Sequence, residues 1–310
     1  MKLVVAGGSG FLGAPLCESW AEDGHDVRLL TRALAPGEAR HDSGTGVPGI
    51  TRVGWRPDAS EGMLAAVVDG AAAVINLAGE SVAGGRWTPA RKRALRDSRI
   101  LSTRTLVAAM RACSTPPRTF ISGSAIGYYG ARGHDPLVES SPPGDDFLAR
   151  LCVDWEAEAQ RAAGPSVRVV VLRTGIVLER GGGALQKMML PFRFFAGGRI
   201  GSGGQYVSWI HRIDWMEMVR WLVETPEIAG PVNATAPHPV TNADLAKALG
   251  RAMHRPALAP APGFALRLAL GEMAHSLLTG QRVVPSRALN AGFHFRYPEI
   301  EIAFRGIFGG

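Results

Sequence analysis

The sequence predicts an α/β protein in which a parallel sheet is covered by helices on both faces. Apolar runs of strand length alternate with amphipathic helical patterns through the first half of the chain, which is typical of such a sheet. The chain has 310 residues, of which 46% are hydrophobic and 20% are charged. This length is enough for a complete α/β core and a smaller second domain.

Six apolar runs are predicted to be strands, at residues 2–6, 27–31, 51–54, 72–77, 118–123 and 167–173. Four amphipathic stretches between them are predicted to be helices, at residues 11–23, 61–69, 89–113 and 146–163. Because right-handed β-α-β crossovers dominate such alternation, the most economical architecture is a doubly wound parallel sheet of the Rossmann type.

The second half of the chain differs from the first in composition. Residues 181–207 are rich in glycine and aromatic residues, and such loops tend to line a ligand cleft. A helix at 214–224 and a strand at 231–235 then return the chain to the sheet. Prolines just beyond that strand mark a boundary. We therefore expect one domain over residues 1–236 and a small, mainly helical domain over residues 237–310.

The formal charge of +7 arises from 34 basic and 27 acidic residues. Nucleic-acid binders concentrate such charge in a stripe, whereas here it is scattered apart from a short run at Arg91-Lys92-Arg93. A solvated helix face explains that run better than a polyanion site. The composition therefore predicts no nucleic-acid partner, and it suits small molecules that carry phosphate.

The cysteines, Cys17, Cys113 and Cys152, lie far apart, and the eight His residues show no spacing typical of metal ligands. These patterns predict a reducing compartment and no metal site. The chain begins directly with a predicted strand, and no apolar run reaches the ~20 residues that cross a bilayer. We therefore expect a cytoplasmic protein with neither a signal peptide nor a membrane partner.

The first predicted strand leads directly into the loop Gly7-Gly8-Ser9-Gly10-Phe11-Leu12-Gly13, which opens an amphipathic helix. In this context the first glycine permits a tight turn, the second lets the backbone approach a pyrophosphate, and the third lets helix and strand pack closely. The helix N-terminus then faces the anion. The loop therefore predicts a site for a nicotinamide dinucleotide, formed by all seven residues.

The end of the second strand distinguishes between the two cofactors. NAD(H) binders usually place a carboxylate there for the ribose 2′-hydroxyl, whereas a 2′-phosphate needs a cation. The sequence has Thr31 and Arg32 at this position, which favours NADP(H) over NAD(H) because a guanidinium meets phosphate oxygens at two points. The alternative is that Arg32 is an ordinary exposed loop residue.

The fourth strand ends in Leu77-Ala78-Gly79-Glu80. These small residues would let the backbone lie against the adenosine side of the cofactor. Their alternative role is tight packing at a strand end.

Three parts of the sequence resemble the extended short-chain dehydrogenase/reductases, the NAD(P)-dependent epimerase/dehydratase group. They are the loop at 7–13, the turn at 77–80 and the segment Ser122-Gly123-Ser124-Ala125-Ile126-Gly127-Tyr128-Tyr129-Gly130. Further strings resemble a branch of that group with an additional C-terminal domain of unknown function, among them Arg86-Trp87, Asp154-Trp155-Glu156, Arg173-Thr174-Gly175 and Ser208-Trp209-Ile210-His211. The resemblance extends over residues 1–305. It implies that Arg99 lies near the cofactor, although an exposed helix arginine is equally compatible with the sequence. It also implies a homodimer through helices 89–113 and 146–163.

One departure from this group bears on catalysis. Its members use a Tyr-x-x-x-Lys pair, in which the lysine lowers the tyrosine pKa, but the corresponding residues here are Leu148 and Cys152. The resemblance places Ser124 where the group binds a substrate oxygen. Tyr129, and less so Tyr128, are replacement candidates, with loop stabilisation as the alternative for all three hydroxyls. Cys152 is more readily explained as a small apolar helix residue than as a nucleophile.

Several residues after 190 have structural explanations. Asp214 fits a helix N-cap with Glu217 three residues later. His211 is best explained by backbone contacts, although it could face the cleft. Three aromatic residues either line the pocket or pack in the core: Trp209, Phe192 and Phe194.

These features predict an NADP(H)-binding oxidoreductase or epimerase that acts on an unidentified carbonyl or sugar-like small molecule. The alternative is a catalytically silent NADP(H)-binding sensor or interaction protein, because the Tyr and Lys of the group are replaced.

Overall fold

The computed structural model describes residues 1–41, 48–57 and 61–309, with side chains from residue 63 onward in the last range. The strands in these ranges are β1 Lys2–Ala6, β2 Asp26–Thr31, β3 Ala39–His41, β4 Ile50–Gly54, β5 Ala73–Asn76, β6 Thr119–Ala125, β7 Pro136–Leu137, β8 Arg168–Thr174, β9 Ile176–Leu178, β10 Tyr206–Val207, β11 Trp209–His211, β12 Gly230–Ala234, β13 Val240–Thr241 and β14 Arg282–Val283. The helices are α1 Gly13–Glu22, α2 Glu61–Val68, α3 Pro89–Arg111, α4 Phe147–Gln160, α5 Gly183–Arg193, α6 Arg212–Glu224, α7 Asn242–Met253, α8 Gly263–Leu270, α9 Met273–Leu278, α10 Ser286–Asn290 and α11 Ile300–Phe308.

Eight of the described strands form one sheet in the order β12-β8-β6-β5-β1-β2-β4-β3. All neighbours pair in parallel except β3, which runs antiparallel to β4 at the edge. The strand order reverses direction at β1, between β5 and β2. Doubly wound sheets bind ligands at such a reversal, beyond the carboxyl ends of the strands. The predicted α/β fold class is confirmed.

Helices cover both faces of the sheet. On one face, α1 and α6 bury large apolar side chains such as Trp20 and Trp215 against the strands. On the other, α2 and α3 bury Leu64, Leu106 and Met110. The parallel strands are apolar on both sides because each side is covered, which explains their continuous hydrophobic runs.

The predicted elements of the first half match the observed ones to within a few residues. Local signals fix several helix starts: Thr88 caps α3 by accepting a hydrogen bond from the backbone N–H of Arg91 at 3.2 Å, and Asp146 caps α4 by accepting one from Ala149 at 2.8 Å. The glycine-rich stretch after 181 also contains α5, which the sequence analysis did not predict.

The C-terminal helices pack against the segment that follows β8. A separate apolar cluster joins Leu185 of α5 and Trp209 of β11 to Leu249 of α7 and Phe304 of α11. The domain division at residue 236 stays a prediction. No described helix combines the length and the apolar character that crossing a membrane requires.

Candidate cofactor and active site

A cavity of about 270 Å³ opens at the reversal of strand order. It collects residues that follow β1, β2, β4 and β5, together with two serines of α3. The lining residues are Gly7, Ser9, Gly10, Leu30, Thr31, Arg32, Trp55, Pro57, Leu77, Ala78, Gly79, Glu80, Ser98 and Ser102. Nine of these are predicted cofactor-binding residues, so the structure brings most of that set together.

The glycine loop holds the start of α1 against the end of β1. Gly7 has φ +78°, and a Cβ there would lie 2.7 Å from the carbonyl carbon of Leu77. A Cβ on Gly13 would overlap the carbonyl oxygen of Gly7. Both positions therefore require glycine. No side chain caps the N-terminus of α1. The Ala14 N–H donates to the Gly10 carbonyl oxygen at 2.9 Å and Pro15 has no N–H, so the Gly13 N–H is the donor that the first turn offers to an anion.

The other predicted loop residues support this arrangement without lining the cavity. Gly8 packs against Leu29 and Cys17, and Leu12 stands at the helix N-terminus. Phe11 turns away toward the glycine-rich segment, where its ring fills the space beside Gly182 and Gly183.

Two arginines stand at the far end of the cavity. Arg32 follows β2, is exposed, and has no ion-pair partner in the part of the chain that the structure describes. Arg56 follows β4, and its Nη1 donates a hydrogen bond to the carbonyl oxygen of Arg32 at 2.9 Å. Arg32 therefore lines the cavity where the sequence predicts a ribose 2′-phosphate, and Arg56 contacts the Arg32 backbone from outside the lining.

Arg99 supports the turn at 77–80 instead of lining the cavity. Its Nη2 donates to the carbonyl oxygen of Glu80 and its Nη1 to that of Leu95, both at 2.9 Å. Its guanidinium also lies directly beneath Gly79. Burial lowers the pKa of Arg99. In this structure it positions the backbone that faces the cofactor cavity.

A row of polar side chains crosses the sheet next to the cavity, at the carboxyl ends of β6, β8 and β12. Ser124, Arg173 and Asn233 are aligned across the three strands, and all three are buried. Glu156 of α4 completes the row from above. Its Oε1 accepts hydrogen bonds from Ser124 Oγ at 2.7 Å and from Arg173 Nε at 2.9 Å.

The ion pair between Glu156 and Arg173 is bidentate, since Arg173 Nη2 also donates to Oε2 at 2.8 Å. Burial lowers the pKa of Arg173, but the hydrogen bonds and charge of Glu156 more than offset this, so the net pKa is raised. Arg173 also lies over the Tyr128 ring, 3.4 Å from its centroid. Arg173 therefore holds the Glu156 carboxylate against the Ser124 hydroxyl.

The structure corrects the predicted placement of Tyr129. Its side chain is fully buried, and its hydroxyl donates to Asn233 Oδ1 at 2.7 Å while accepting from Arg173 Nη1 at 3.0 Å. Burial raises the pKa of Tyr129 to about 12, partly opposed by Arg173. Tyr129 therefore stabilises the polar row and does not face a substrate, because the loop turns its ring inward.

The residues that replace Tyr and Lys lie on the face of α4 that is turned to this row. Leu148 packs against Gly127. The Cys152 thiol donates to the carbonyl oxygen of Ala125 at 3.7 Å, and burial raises the pKa of Cys152 to about 11. A thiol with this pKa is not an activated nucleophile, in agreement with its interpretation as a small buried helix residue.

Sequence reasoning missed Glu156 and Arg173 as members of the site, although both lie in strings that carried the family resemblance. The signal was Arg173 itself: a charged residue at the end of an apolar strand is rarely buried without a partner.

Residues 81–92, which include the start of α3, are tied to distant parts of the chain by three basic side chains. Arg86 donates to the carbonyl oxygens of Leu268 and Ala269 at the end of α8. Lys92 pairs with Glu272 at 2.6 Å. From the other side, Lys187 of α5 donates to the carbonyl oxygen of Ala83 at 2.8 Å. We call these contacts the three straps.

The start of α6 differs from the prediction. His211, not Asp214, is the N-cap, and its Nδ1 accepts a hydrogen bond from the Ile213 N–H at 3.1 Å. Asp214 instead accepts from the backbone N–H groups of Arg296 and Tyr297 at 2.8 and 2.9 Å. The backbone contact expected for His211 is confirmed. Trp209 and Phe192 are buried in the core, whereas Phe194 is exposed.

We expect acid to destabilise the protein through His211. The ring is buried, stacks on Tyr297 at 3.8 Å, and burial lowers the pKa of His211 to about 4. Between this value and the ordinary pKa of ~6.5, the unfolded chain binds more protons than the folded one, so stability falls as the pH drops. His211 should account for about 2 kcal/mol of the loss between pH 7 and pH 5.

Urea denaturation of the protein and of His211→Asn at both pH values measures this contribution. Asparagine keeps a cap acceptor but cannot be protonated in this range. The same pH dependence in both proteins would show that His211 makes no such contribution.

The comparisons with known proteins agree with this architecture. The profile of the NAD dependent epimerase/dehydratase family matches residues 3–233, and a domain of unknown function, DUF1731, matches residues 261–307. The chain is 40% identical over 300 residues to epimerase family protein Mb2239 of Mycobacterium bovis, a match that covers 96% of this chain and 94% of that protein.

Solved structures show the same relationship. The crystal structure of human epimerase family protein SDR39U1 (isoform 2) with NADPH is 35% identical, superposes with a TM-score of 0.88, and matches 100% of both chains. UDP-glucuronic acid 4-epimerase from Bacillus cereus in complex with NAD, at 14% identity and a TM-score of 0.77 over 100% of this chain and 98% of that one, shares the fold. These matches confirm the resemblance found in the sequence: the chain belongs to the NAD dependent epimerase/dehydratase family.

Proposed function

We propose that this protein binds NADP(H) in the cavity at the reversal of strand order. The observation that carries the proposal is the cavity itself, which unites the glycine loop, the uncapped start of α1 and Arg32. Gly7 and Gly10 line the cavity without a side chain, so the loop backbone can approach a pyrophosphate closely. The human relative of known structure was crystallised with NADPH, which supports the choice of cofactor.

We further propose that the protein is an oxidoreductase or epimerase for a carbonyl or sugar-like small molecule. The bound cofactor would supply hydride chemistry at its nicotinamide ring. The chain's own contribution is the polar row. Because the Ser124 hydroxyl donates its hydrogen to Glu156, its lone pairs remain to accept a hydrogen bond. Ser124 therefore suits a hydroxyl group of the substrate and would orient a carbinol carbon.

Replacing Ser124 with alanine is expected to lower kcat about 10- to 100-fold, the loss of one hydrogen bond to a reacting group, while the NADPH Kd stays within about twofold. The assay incubates the protein with NADPH and a panel of carbonyl compounds and nucleotide sugars. Ser122→Ala is the matched control, because Ser122 lies on the same strand and its hydroxyl donates to the carbonyl oxygen of Gly123 at 3.3 Å.

A second candidate function is a catalytically silent NADP(H)-binding sensor. The observation that favours it is that Leu148, Cys152 and Tyr129 offer no acid or base whose pKa is near 7. Leucine does not titrate, and the pKa values of the Cys152 thiol and the Tyr129 hydroxyl are both raised. Tight NADPH binding without turnover of any compound in the panel would support this candidate over the enzyme.

The homodimer through α3 and α4 stays a proposal. The outer side of these helices is largely charged, and it carries the exposed pair Arg96 and Asp154 at 3.1 Å within one chain.

A further inference from the structure

Exposed apolar side chains are concentrated in one region, at the C-terminal end of α5 and along α8. Among the described residues, the five large hydrophobic side chains with more than 60% exposure all lie there. They are Phe194 (74%), Phe195 (62%), Leu258 (86%), Phe264 (73%) and Leu268 (77%). We call these five residues, with Leu190 one turn earlier on α5, the α5–α8 surface.

The parts of this surface are adjacent because a short ladder joins them. The Ala259 N–H donates to the carbonyl oxygen of Gly197, and that of Ala261 donates to the carbonyl oxygen of Arg199, at 3.0 and 2.8 Å. Phe194 and Phe195 precede one side of this ladder, while Leu258 and α8 flank the other. Arg255 lies over the Phe195 ring, 4.6 Å from its centroid, and bridges the two sides.

The packing of these residues does not explain their apolar character. Helix α8 has the sequence GFALRLAL but no buried residue. Phe195 has φ +58°, in the left-handed region where bulky side chains are rarely found. The strained backbone presents an aromatic ring to solvent instead of the core. Contiguous exposed apolar patches on soluble proteins often mark binding surfaces.

The charged residues within the two segments that carry the α5–α8 surface are all basic, although Glu179, Asp244 and Glu272 border them. Residues 180–213 and 245–271 contain nine Lys or Arg and no Asp or Glu. Lys247 and Arg251 pair with carboxylates from outside these segments. Four other arginines have no ion-pair partner among the described residues: Arg193, Arg199, Arg255 and Arg267.

A cationic depression borders the apolar side chains. It has a volume of about 660 Å³ and is lined by Lys247, Arg251, His254 and Arg255, with Leu258 at its edge. Headgroup-sized anions could therefore lie beside the exposed leucine.

We propose that the α5–α8 surface binds the surface of a membrane that contains anionic lipid. Exposed Phe and Leu side chains beside unpaired arginines suit the boundary between lipid headgroups and acyl chains. This boundary is fluid, so it can receive apolar side chains of any shape. A protein partner would need matched pockets, and a second copy would bring together two surfaces of like charge. The sequence prediction of no membrane partner rested on spanning segments, and a peripheral contact requires none.

Vesicle co-sedimentation of the full chain tests this proposal. We expect sedimentation with phosphatidylcholine vesicles that contain about 30% phosphatidylserine, and at least tenfold weaker binding to phosphatidylcholine alone. The double variant Phe264→Ser/Leu268→Ser should weaken binding at least tenfold because it removes the inserted side chains. Arg255→Glu/Arg267→Glu should weaken it similarly, and binding should fall as salt is added.

The matched control is Met63→Ser/Leu289→Ser, which removes two exposed apolar side chains elsewhere and should leave binding unchanged. All four substituted apolar side chains are exposed, so folding is preserved, and far-UV circular dichroism verifies it. No sedimentation of the native chain with anionic vesicles overturns the proposal. A dimer in analytical ultracentrifugation that Phe264→Ser/Leu268→Ser dissociates would assign the surface to a second copy instead.

Discussion

Replacing Arg173 with methionine is expected to lower the free energy of unfolding by about 3–5 kcal/mol. In the native protein Arg173 and Glu156 form a bidentate pair at 2.8 and 2.9 Å. The substitution leaves Glu156 as a buried carboxylate without its cation. It also removes the hydrogen bonds that Arg173 donates to the Tyr129 hydroxyl and to the Glu139 backbone. Equilibrium urea denaturation at neutral pH measures the loss.

Two controls separate this effect from a general cost of removing an arginine. Arg96→Met breaks the exposed pair with Asp154, which should cost at most about 1 kcal/mol. The double variant Arg173→Met/Glu156→Gln should recover part of the loss, because no charge is left unpaired. A loss below about 1 kcal/mol for Arg173→Met, no larger than that expected of the surface pair, would mean that the buried pair does not support the fold.

Replacing Arg32 with alanine is expected to raise the Kd for NADPH about 10- to 100-fold and to change that for NADH less than about threefold. The expected change in the NADPH Kd follows from the loss of charge-assisted hydrogen bonds to a phosphate, which contribute about 1.5–3 kcal/mol. Calorimetric titration of each variant with both cofactors measures the discrimination.

Arg28→Ala is the control for Arg32. Arg28 lies on β2, the strand that Arg32 follows, but it pairs with Asp26 at 2.9 Å and lies outside the cavity. Arg56→Ala should give a smaller loss than Arg32→Ala, since Arg56, unlike its neighbours Trp55 and Pro57, does not line the cavity. Equal losses for NADPH and NADH would contradict the assignment of Arg32 to the 2′-phosphate.

The sequence was sufficient to predict the fold and one end of the site. Strand periodicity, the glycine spacing and the residue after β2 are local signals, and the parallel sheet brings the ends of β1, β2 and β5 to one edge by topology alone. This explains why Gly7, Arg32 and Gly79 were predicted for the cofactor site and line one cavity.

The contacts within the polar row could not be predicted, although Ser124 was, because they join residues far apart in the chain. Tyr129 reaches Asn233 across 104 positions, and nothing near Tyr129 shows that its hydroxyl turns inward. The N-cap of α6 was missed for a similar reason. Asp214 has the sequence context of a cap, but its carboxylate is taken by backbone groups 82 and 83 positions later.

The three straps also bear on how a ligand reaches its cavity. They join segments up to 183 positions apart, yet they lie on the exterior, where a charged contact contributes little to stability. Local unfolding begins at such weakly held segments. We expect residues 81–88 to open outward while Arg99 keeps the turn at 77–80 in place, which would give a dinucleotide a path of entry that leaves the hydrophobic core closed.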